Sequence, residues 1–206
     1  MSILKFILFY NGQEKYDNYV ILYDEISDEW SIEHTKFDTG IFGNFWPQKK
    51  GGKTMGLKLK TKVYGKEYTF PSSENAFQAS KCKNKEDIEQ FTKITALQSF
   101  RFGRSVDLRD DWDSIKINIM KKICMDKFTQ FDELKKILLE TNDAYLIEHT
   151  PVKNRDKYWA DDNDGSGANN LGKCLMDVRV AIGGKEYNKK CLKKFSELYE
   201  FIDNMD

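Results

Sequence analysis

Three features of this 206-residue chain point to chemistry: a glutamate at the start of a helix, a cluster of arginines, and a glycine-rich loop. The glutamate is Glu74, in the run Ser73-Glu74-Asn75 just after Pro71. A carboxylate in a first helical turn complements the helix dipole, which is the plain structural reading. The functional reading is a carboxylate held at a cleft edge beside free backbone donors, and spacing alone favours the structural one. Arg101, Arg104 and Arg109 put three guanidinium groups within nine positions of a chain that has 28 Lys and only 5 Arg. A guanidinium offers a planar fork to phosphates and carboxylates that an ammonium cannot copy. Surface arginines more often just solvate a face. Trp112 follows closely; with Ile115 and Ile119 at helical spacing it reads as core, and its ring could also stack on a base.

The stretch Gly167–Cys174 nearly spells the phosphate-binding pattern GxxxxGK[ST], but Cys174 stands where a magnesium-binding hydroxyl is needed and no strand precedes it. An NTPase is therefore excluded. What remains is a glycine-rich loop entering a helix, where N–H groups can hold a phosphate or ribose, with a capped flexible loop as the alternative. Asp162-Asn163-Asp164-Gly165 looks like part of a calcium loop, yet aligning Gly165 as the sixth position puts Ala160 first and Leu171 twelfth, where carboxylates belong. Cys82, Cys124, Cys174 and Cys191 form no close pair, and His34 and His149 are the only histidines, so no zinc site is expected. Each cysteine lies in an apolar-periodic stretch and reads as a small buried hydrophobe.

Composition sets the outer limits. The 33 basic and 33 acidic groups cancel, which argues against a protein that coats nucleic acid but not against one that binds a phosphorylated small molecule. Forty per cent hydrophobic and 14% aromatic content indicates a folded core. No segment has the apolar length of a membrane span, no cleavable leader is visible, and the cysteine usage suits a reducing cytoplasm.

The elements that must position these residues change in kind along the chain. The first 70 residues read as strands and turns: Ile3–Tyr10 and Tyr19–Tyr23 around an Asn11-Gly12 turn, a polar loop from Pro47 to Gly52, and Leu57–Tyr64 hairpinned through Gly65-Lys66 to Glu67–Phe70. Beyond Pro71 the period becomes helical. Helices are expected from Ser72 or Ser73 to Cys82, over Glu86–Ile94 with Asn84 as cap, from Thr95 to near Gly103, over Asp111–Gln130, and over Glu133–Glu140. A short strand Tyr145–His149, an irregular stretch from Thr150 to Asn169, and helices over Leu171–Ile182 and Asn188–Met205 complete the pattern. The reading is one α+β domain with a small β-hairpin region at its start: residues 1–30 as an N-terminal β extension and 31–206 as the main domain.

Taken together, several stretches resemble the YbiA-like family of N-glycosidases, also called NADAR. They are Phe42-Gly43-Asn44-Phe45 with Trp46-Pro47; Phe70 to Ala79 with Lys81; Arg101-Phe102-Gly103-Arg104; Leu108-Arg109-Asp110-Asp111-Trp112; Leu146 to Thr150; Tyr158-Trp159; and Gly167 to Gly172 with Leu175-Met176 and Arg179. Their order covers about two thirds of the chain. The family pattern has His where this chain has Asn75 and Trp-Gly where it has Trp159-Ala160, and the segment between Thr150 and Tyr158 is about three residues longer.

The resemblance implies a compact, mainly helical α+β fold that cleaves N-glycosidic bonds. One branch of the family hydrolyses phosphoribosylamino-pyrimidine intermediates of riboflavin synthesis and releases ribose 5-phosphate. Other members act on ADP-ribose derivatives, including ADP-ribosyl groups on guanine. The implied catalytic positions are Glu74, Trp112 and Asp156, with Asp161 as the alternative second carboxylate. The implied substrate-binding positions are Asn44, Phe45, Lys81, Arg104, Arg109, Trp159, Asn169 and Gly172. Cleaving C1′–N develops oxocarbenium charge, which a carboxylate stabilises or relieves by activating water, while a second acid protonates the departing nitrogen. No metal and no cofactor is called for. The implied partner is a small phosphoribosyl or ADP-ribosyl substrate met by a monomer without a membrane; nucleic acid enters only with the guanine alternative. A non-catalytic ADP-ribose or NAD binder is the third reading.

Overall fold

The computed structural model describes residues 3–10, 18–47 and 56–205. The expected Asn11-Gly12 turn, and the expected loop beyond Pro47, lie outside the described residues. The α+β class is borne out, and the residues gather into two compact units. Among described residues, 3–10, 18–42 and 136–205 form a sheet unit, and 43–47 and 56–135 form a helical unit.

The sheet unit is built on four strands in the order β3-β2-β1-β6: β1 Ile3–Phe9, β2 Tyr19–Asp24, β3 Glu29–His34 and β6 Tyr145–Glu148. β1 is central, antiparallel to β2 and parallel to β6, with Phe6 opposite Tyr145 and Phe9 opposite Glu148. Buried on both faces, it reads as a near-continuous apolar run, ILKFILF. The segment 1–30, set apart in the sequence as an extension, thus supplies β1 and β2 to the sheet that holds β6, and its boundary at residue 30 falls inside β3. β3 was not expected. As an edge strand it exposes Glu29, Ser31 and Glu33, so its alternation rests on little more than Trp30 and Ile32. Trp30 stacks on Phe201 of the last helix, α7 (Phe195–Asp203), at 5.5 Å between ring centres.

Helix α6 (Asn170–Ala181) packs on β6, with Gly172 at the closest point: a Cβ there would lie 2.3 Å from the Leu146 carbonyl oxygen. The single closing helix expected over Asn188–Met205 is divided into a 3-10 turn, Lys189–Lys194, and α7. Four lysines crowd that turn, and their repulsion disfavours a continuous regular helix. Cys191 is buried there beside the Lys5 carbonyl, and desolvation pushes its thiol up to about 11. All four cysteines are buried and none is in a disulfide, as the sequence indicated.

The helical unit contains the hairpin β4 (Leu59–Val63) and β5 (Lys66–Phe70), then α1 (Ser73–Ser80), α2 (Lys85–Phe91), α3 (Ala96–Phe102) and α4 (Trp112–Gln130). Tyr64 and Gly65 both have positive φ, 50° and 79°, as a two-residue hairpin turn demands. Tyr64 is held there by its hydroxyl, which donates to the Cys82 carbonyl at 2.8 Å. Ser72 and Thr95 cap α1 and α3, Thr95 in a full capping box with Gln98. Helix α5 (Asp132–Glu140) follows α4.

On α4 the buried stripe is Trp112, Met120, Ile123, Cys124, Lys127 and Phe128. Lys127 is the exception among apolar neighbours: its ammonium donates to the Gly43 carbonyl at 3.1 Å and faces the Trp46 and Phe128 rings. Burial pulls its pKa down from 10.5 to about 8. Between those values the unfolded chain binds more protons than the folded one, so this lysine's contribution makes stability rise with pH across that window. Replacing Lys127 by Met should therefore stabilise the fold at pH 7 relative to the parent, and the gap should shrink by about 3 kcal/mol as pH climbs through the window. Denaturant midpoints at pH 7 and pH 10 measure it; a constant gap would contradict the assignment.

Candidate active site

Each unit holds part of the set of candidate residues. In the helical unit they centre on α1, in which all eight residues are buried although five of them are polar. Buried polar groups require partners, and α1 provides them along its length. The Ser72 hydroxyl accepts the Asn75 N–H at 3.2 Å and donates to Asn75 Oδ1 at 2.5 Å. The Asn75 amide then donates to the carbonyls of Phe91 and Ile94, both at 2.9 Å, which ties α1 to the end of α2. The residue that differs from the family pattern therefore has a structural task that uses both protons of its amide.

Glu74 does not fit the plain dipole reading that spacing favoured. Its side chain is only 5% exposed, whereas complementing a dipole needs no burial. Its N–H donates to the Asn44 carbonyl at 2.9 Å, and its Oε1 accepts from Gln78 Nε2, one turn on, at 2.7 Å. Asn44 is itself buried, with its amide 3.6 Å from Met120 Sδ. At the other end of α1, Lys81 is half-buried; desolvation lowers its pKa, partly opposed by the charge of Glu74 and reinforced by Arg104. Arg104 lies over the Phe100 ring at 4.4 Å, and Phe100 in turn faces Phe45 at 6.1 Å. Trp112, the first residue of α4, is 9% exposed and meets the Phe77 ring at 5.0 Å. Glu74 and Phe77 lie on α1, and Trp112 packs against that same helix.

Arg109 is differently placed from what a phosphate ligand would suggest. Its fork grips Asp111 with bonds of 2.5 and 3.0 Å, its third nitrogen reaches the Ser80 carbonyl at 3.4 Å, and its plane covers the Tyr64 ring at 4.5 Å. Those contacts make it a brace between α1, the hairpin turn and the start of α4.

In the sheet unit, the two candidate carboxylates separate clearly. Asp161 is fully buried and saturated. Its Oδ2 meets His149 Nδ1 and the Tyr199 hydroxyl, each at 2.7 Å, and its Oδ1 accepts the N–H groups of Thr150 at 2.9 Å and Asn163 at 3.0 Å. Burial, with the Asp161 charge, holds the Tyr199 phenol well above its ordinary range. Asp156 is part-exposed, and its Oδ1 accepts the N–H groups of Tyr158 at 3.1 Å and Trp159 at 2.7 Å. That turn fixes the carboxylate and sets the neighbouring Trp159 ring against Tyr158 at 5.0 Å.

Asn169, in a left-handed conformation with φ 49°, spends its amide on β6, accepting from the Glu148 N–H at 3.0 Å and donating to the Leu146 carbonyl at 2.9 Å. With Gly172 it makes the α6–β6 joint rather than an open phosphate cradle. The acidic stretch after Ala160 is engaged by lysines: Lys153 binds Asp164 and the Ser166 hydroxyl and lies 3.4 Å from the buried Asp162 carboxylate. Among the described residues no group of three or more His, Cys, Asp or Glu is gathered to hold a metal. The residue that sequence reasoning passed over is Gln78; its signal was the four-residue spacing from Glu74, which places both on one helical face.

The chain matches the NADAR domain model over residues 32–183. It is 37% identical over 153 residues to N-glycosidase YbiA of Escherichia coli K12, covering 72% of this chain and 84% of that protein. It is 38% identical over 119 residues to a riboflavin biosynthesis protein of Vibrio vulnificus, covering 55% of this chain and 31% of the larger protein. The NMR structure of E. coli YbiA superposes with a TM-score of 0.57 at 35% identity, covering 71% of this chain and 80% of that one. With a buried glutamate and an aromatic wall at the motif positions, and a matched span of this length, the chain belongs to the NADAR family.

Proposed function

We propose that this protein is a hydrolase of N-glycosyl bonds that cleaves phosphoribosylamino-pyrimidine intermediates of riboflavin biosynthesis, giving ribose 5-phosphate and the free pyrimidine. The observation that carries the reading is Glu74: a carboxylate withdrawn from solvent, aimed by Gln78, on the helix that Trp112 packs against. In such surroundings a carboxylate acts strongly on positive charge developing at C1′. Trp112 and Phe77 offer aromatic faces for the base, and Arg104 and Lys81 offer cations for the 5′-phosphate. Asp156 is the second carboxylate, because the hydrogen bonds of Asp161 are already spent within the fold. The enzyme names of the relatives, N-glycosidase and riboflavin biosynthesis protein, agree with this choice of bond and pathway. The buried, thiol-form cysteines suit a cytoplasmic setting, and among the described residues no helix is long and apolar enough to cross a membrane.

A second reading, release of ADP-ribose from guanine, draws on one observation. Lys58, Lys60 and Lys62 are exposed in and beside β4 and present a local cationic face to a polyanion. The test is direct. Purified protein is incubated with the phosphoribosylamino-pyrimidines and, separately, with ADP-ribosylated guanosine, and released base is followed by chromatography. Base and ribose 5-phosphate appearing in the first arm support the leading reading. Release confined to the second arm favours the alternative, and tight ADP-ribose binding without release in either arm means a binder.

A further inference from the structure

We infer that Gln78 is a positioning residue for Glu74, holding its carboxylate in one orientation for the reaction. The inference rests on the N-glycosidase reading, in which Glu74 touches the reacting atoms. Its own support is geometric. Gln78 is 7% exposed and donates Nε2 to Glu74 Oε1 at 2.7 Å. A carboxylate oxygen only accepts, so this contact dictates which end of the amide faces Glu74. The other end, Oε1, is then buried with no hydrogen-bond partner among the described residues. A protein under no constraint at position 78 would place an apolar residue there or turn the amide toward a donor. Keeping an orphaned acceptor makes sense when the donor end is the part in use.

Gly103 reinforces the point. A Cβ at that position would sit 2.0 Å from Gln78 Oε1 and 3.1 Å from the Lys81 chain, so only glycine leaves room for the amide as it lies. Two residues from different elements are thus shaped around one hydrogen bond to Glu74. Among the described residues, the charged groups around this cluster include Lys81, which interacts with Glu74, and Arg104, which acts on Lys81. On the other elements packed against α1, Asp87 of α2 acts on Cys82, Lys122 of α4 is taken up by Thr61 of β4 and by Asp126, and Lys127 by Gly43. On β4 and β5, Lys60 and Lys62 point to solvent and Lys66 pairs with Glu89.

Gln78→Glu replaces the donor with a second carboxyl against Glu74, and two carboxyls in contact share one proton. The limb of the pH–rate profile that reports Glu74 should move up by at least about one pH unit, with kcat at neutral pH changed more than KM. A substrate-free readout accompanies it: the side-chain 13C titration of Glu74 should move by a similar amount. Gly103→Ala, which displaces the amide without altering it, should lower kcat about tenfold or more at nearly constant KM. An unshifted Glu74 titration in Gln78→Glu, or wild-type kcat in Gly103→Ala, overturns the inference. A shifted titration in a protein that releases no base from either substrate leaves the positioning geometry standing and rejects the N-glycosidase reading instead.

Discussion

Glu74→Gln should abolish base release, lowering kcat by about a thousandfold or more, while the thermal midpoint stays within a few degrees of the parent. The size follows from the environment. A thousandfold is about 4 kcal/mol of transition-state stabilisation, within the range for one well-placed carboxylate acting on an oxocarbenium ion. The fold should survive because glutamine keeps an oxygen to accept from Gln78 Nε2, and the backbone bond from residue 74 to the Asn44 carbonyl does not involve the side chain. What is lost is the charge, and with it the ability to stabilise a cation or take a proton from water. Circular dichroism and a melt establish the fold; single-turnover release of base measures the chemistry. A Glu74→Gln protein at full activity would remove Glu74 from the mechanism and with it the proposed function.

The second large effect is on stability. Asp161→Ala should destabilise the protein by about 3–5 kcal/mol, because it strips a fully buried acceptor from four donors: His149, Tyr199 and the Thr150 and Asn163 amides. For a chain of this size that is roughly 10 °C in Tm. Asp156→Ala should behave in the opposite way. It gives up bonds to two partly exposed backbone amides and should cost about 1 kcal/mol, yet it should suppress turnover strongly. Paired melts and rate measurements separate the two carboxylates. If Asp161→Ala melts like the parent but is inactive, the roles assigned here are reversed.

That pair of carboxylates shows how far the residues could be read before the structure. The family resemblance implies Asp156, with Asp161 as the alternative because the segment between Thr150 and Tyr158 is about three residues longer than the family pattern, and sequence spacing cannot show what a carboxylate touches. Tyr199 is 38 positions from Asp161 and His149 is 12, so the saturation of Asp161 exists only once the chain is folded. Glu74 illustrates the same limit. Its place in a first helical turn was legible from Pro71 and Ser72, but its burial was not. The caps at Ser72 and Thr95, the β4–β5 hairpin and the long helix α4 were readable because they are local, set by turn chemistry and periodicity over a few residues.

The amino-acid sequence by itself determined the family, the α+β class, the succession of most elements and the carboxylates worth testing, because motifs and short-range periodicity are properties of neighbouring residues. The tertiary structure alone decided that β1 lies at the centre of a sheet beside β6, since parallel pairing joins segments that have the entire helical unit between them in sequence. It also decided what the arginines do. Arg109 spends its fork on Asp111, and Arg179 is fully buried with its bonds on Thr141, Ala144 and Lys185, burial drawing its pKa down to about 10. Arg104, exposed over Phe100, keeps its guanidinium near the Lys81 end of α1. A guanidinium's role depends on which acceptors surround it, and folding brings those acceptors from distant parts of the chain.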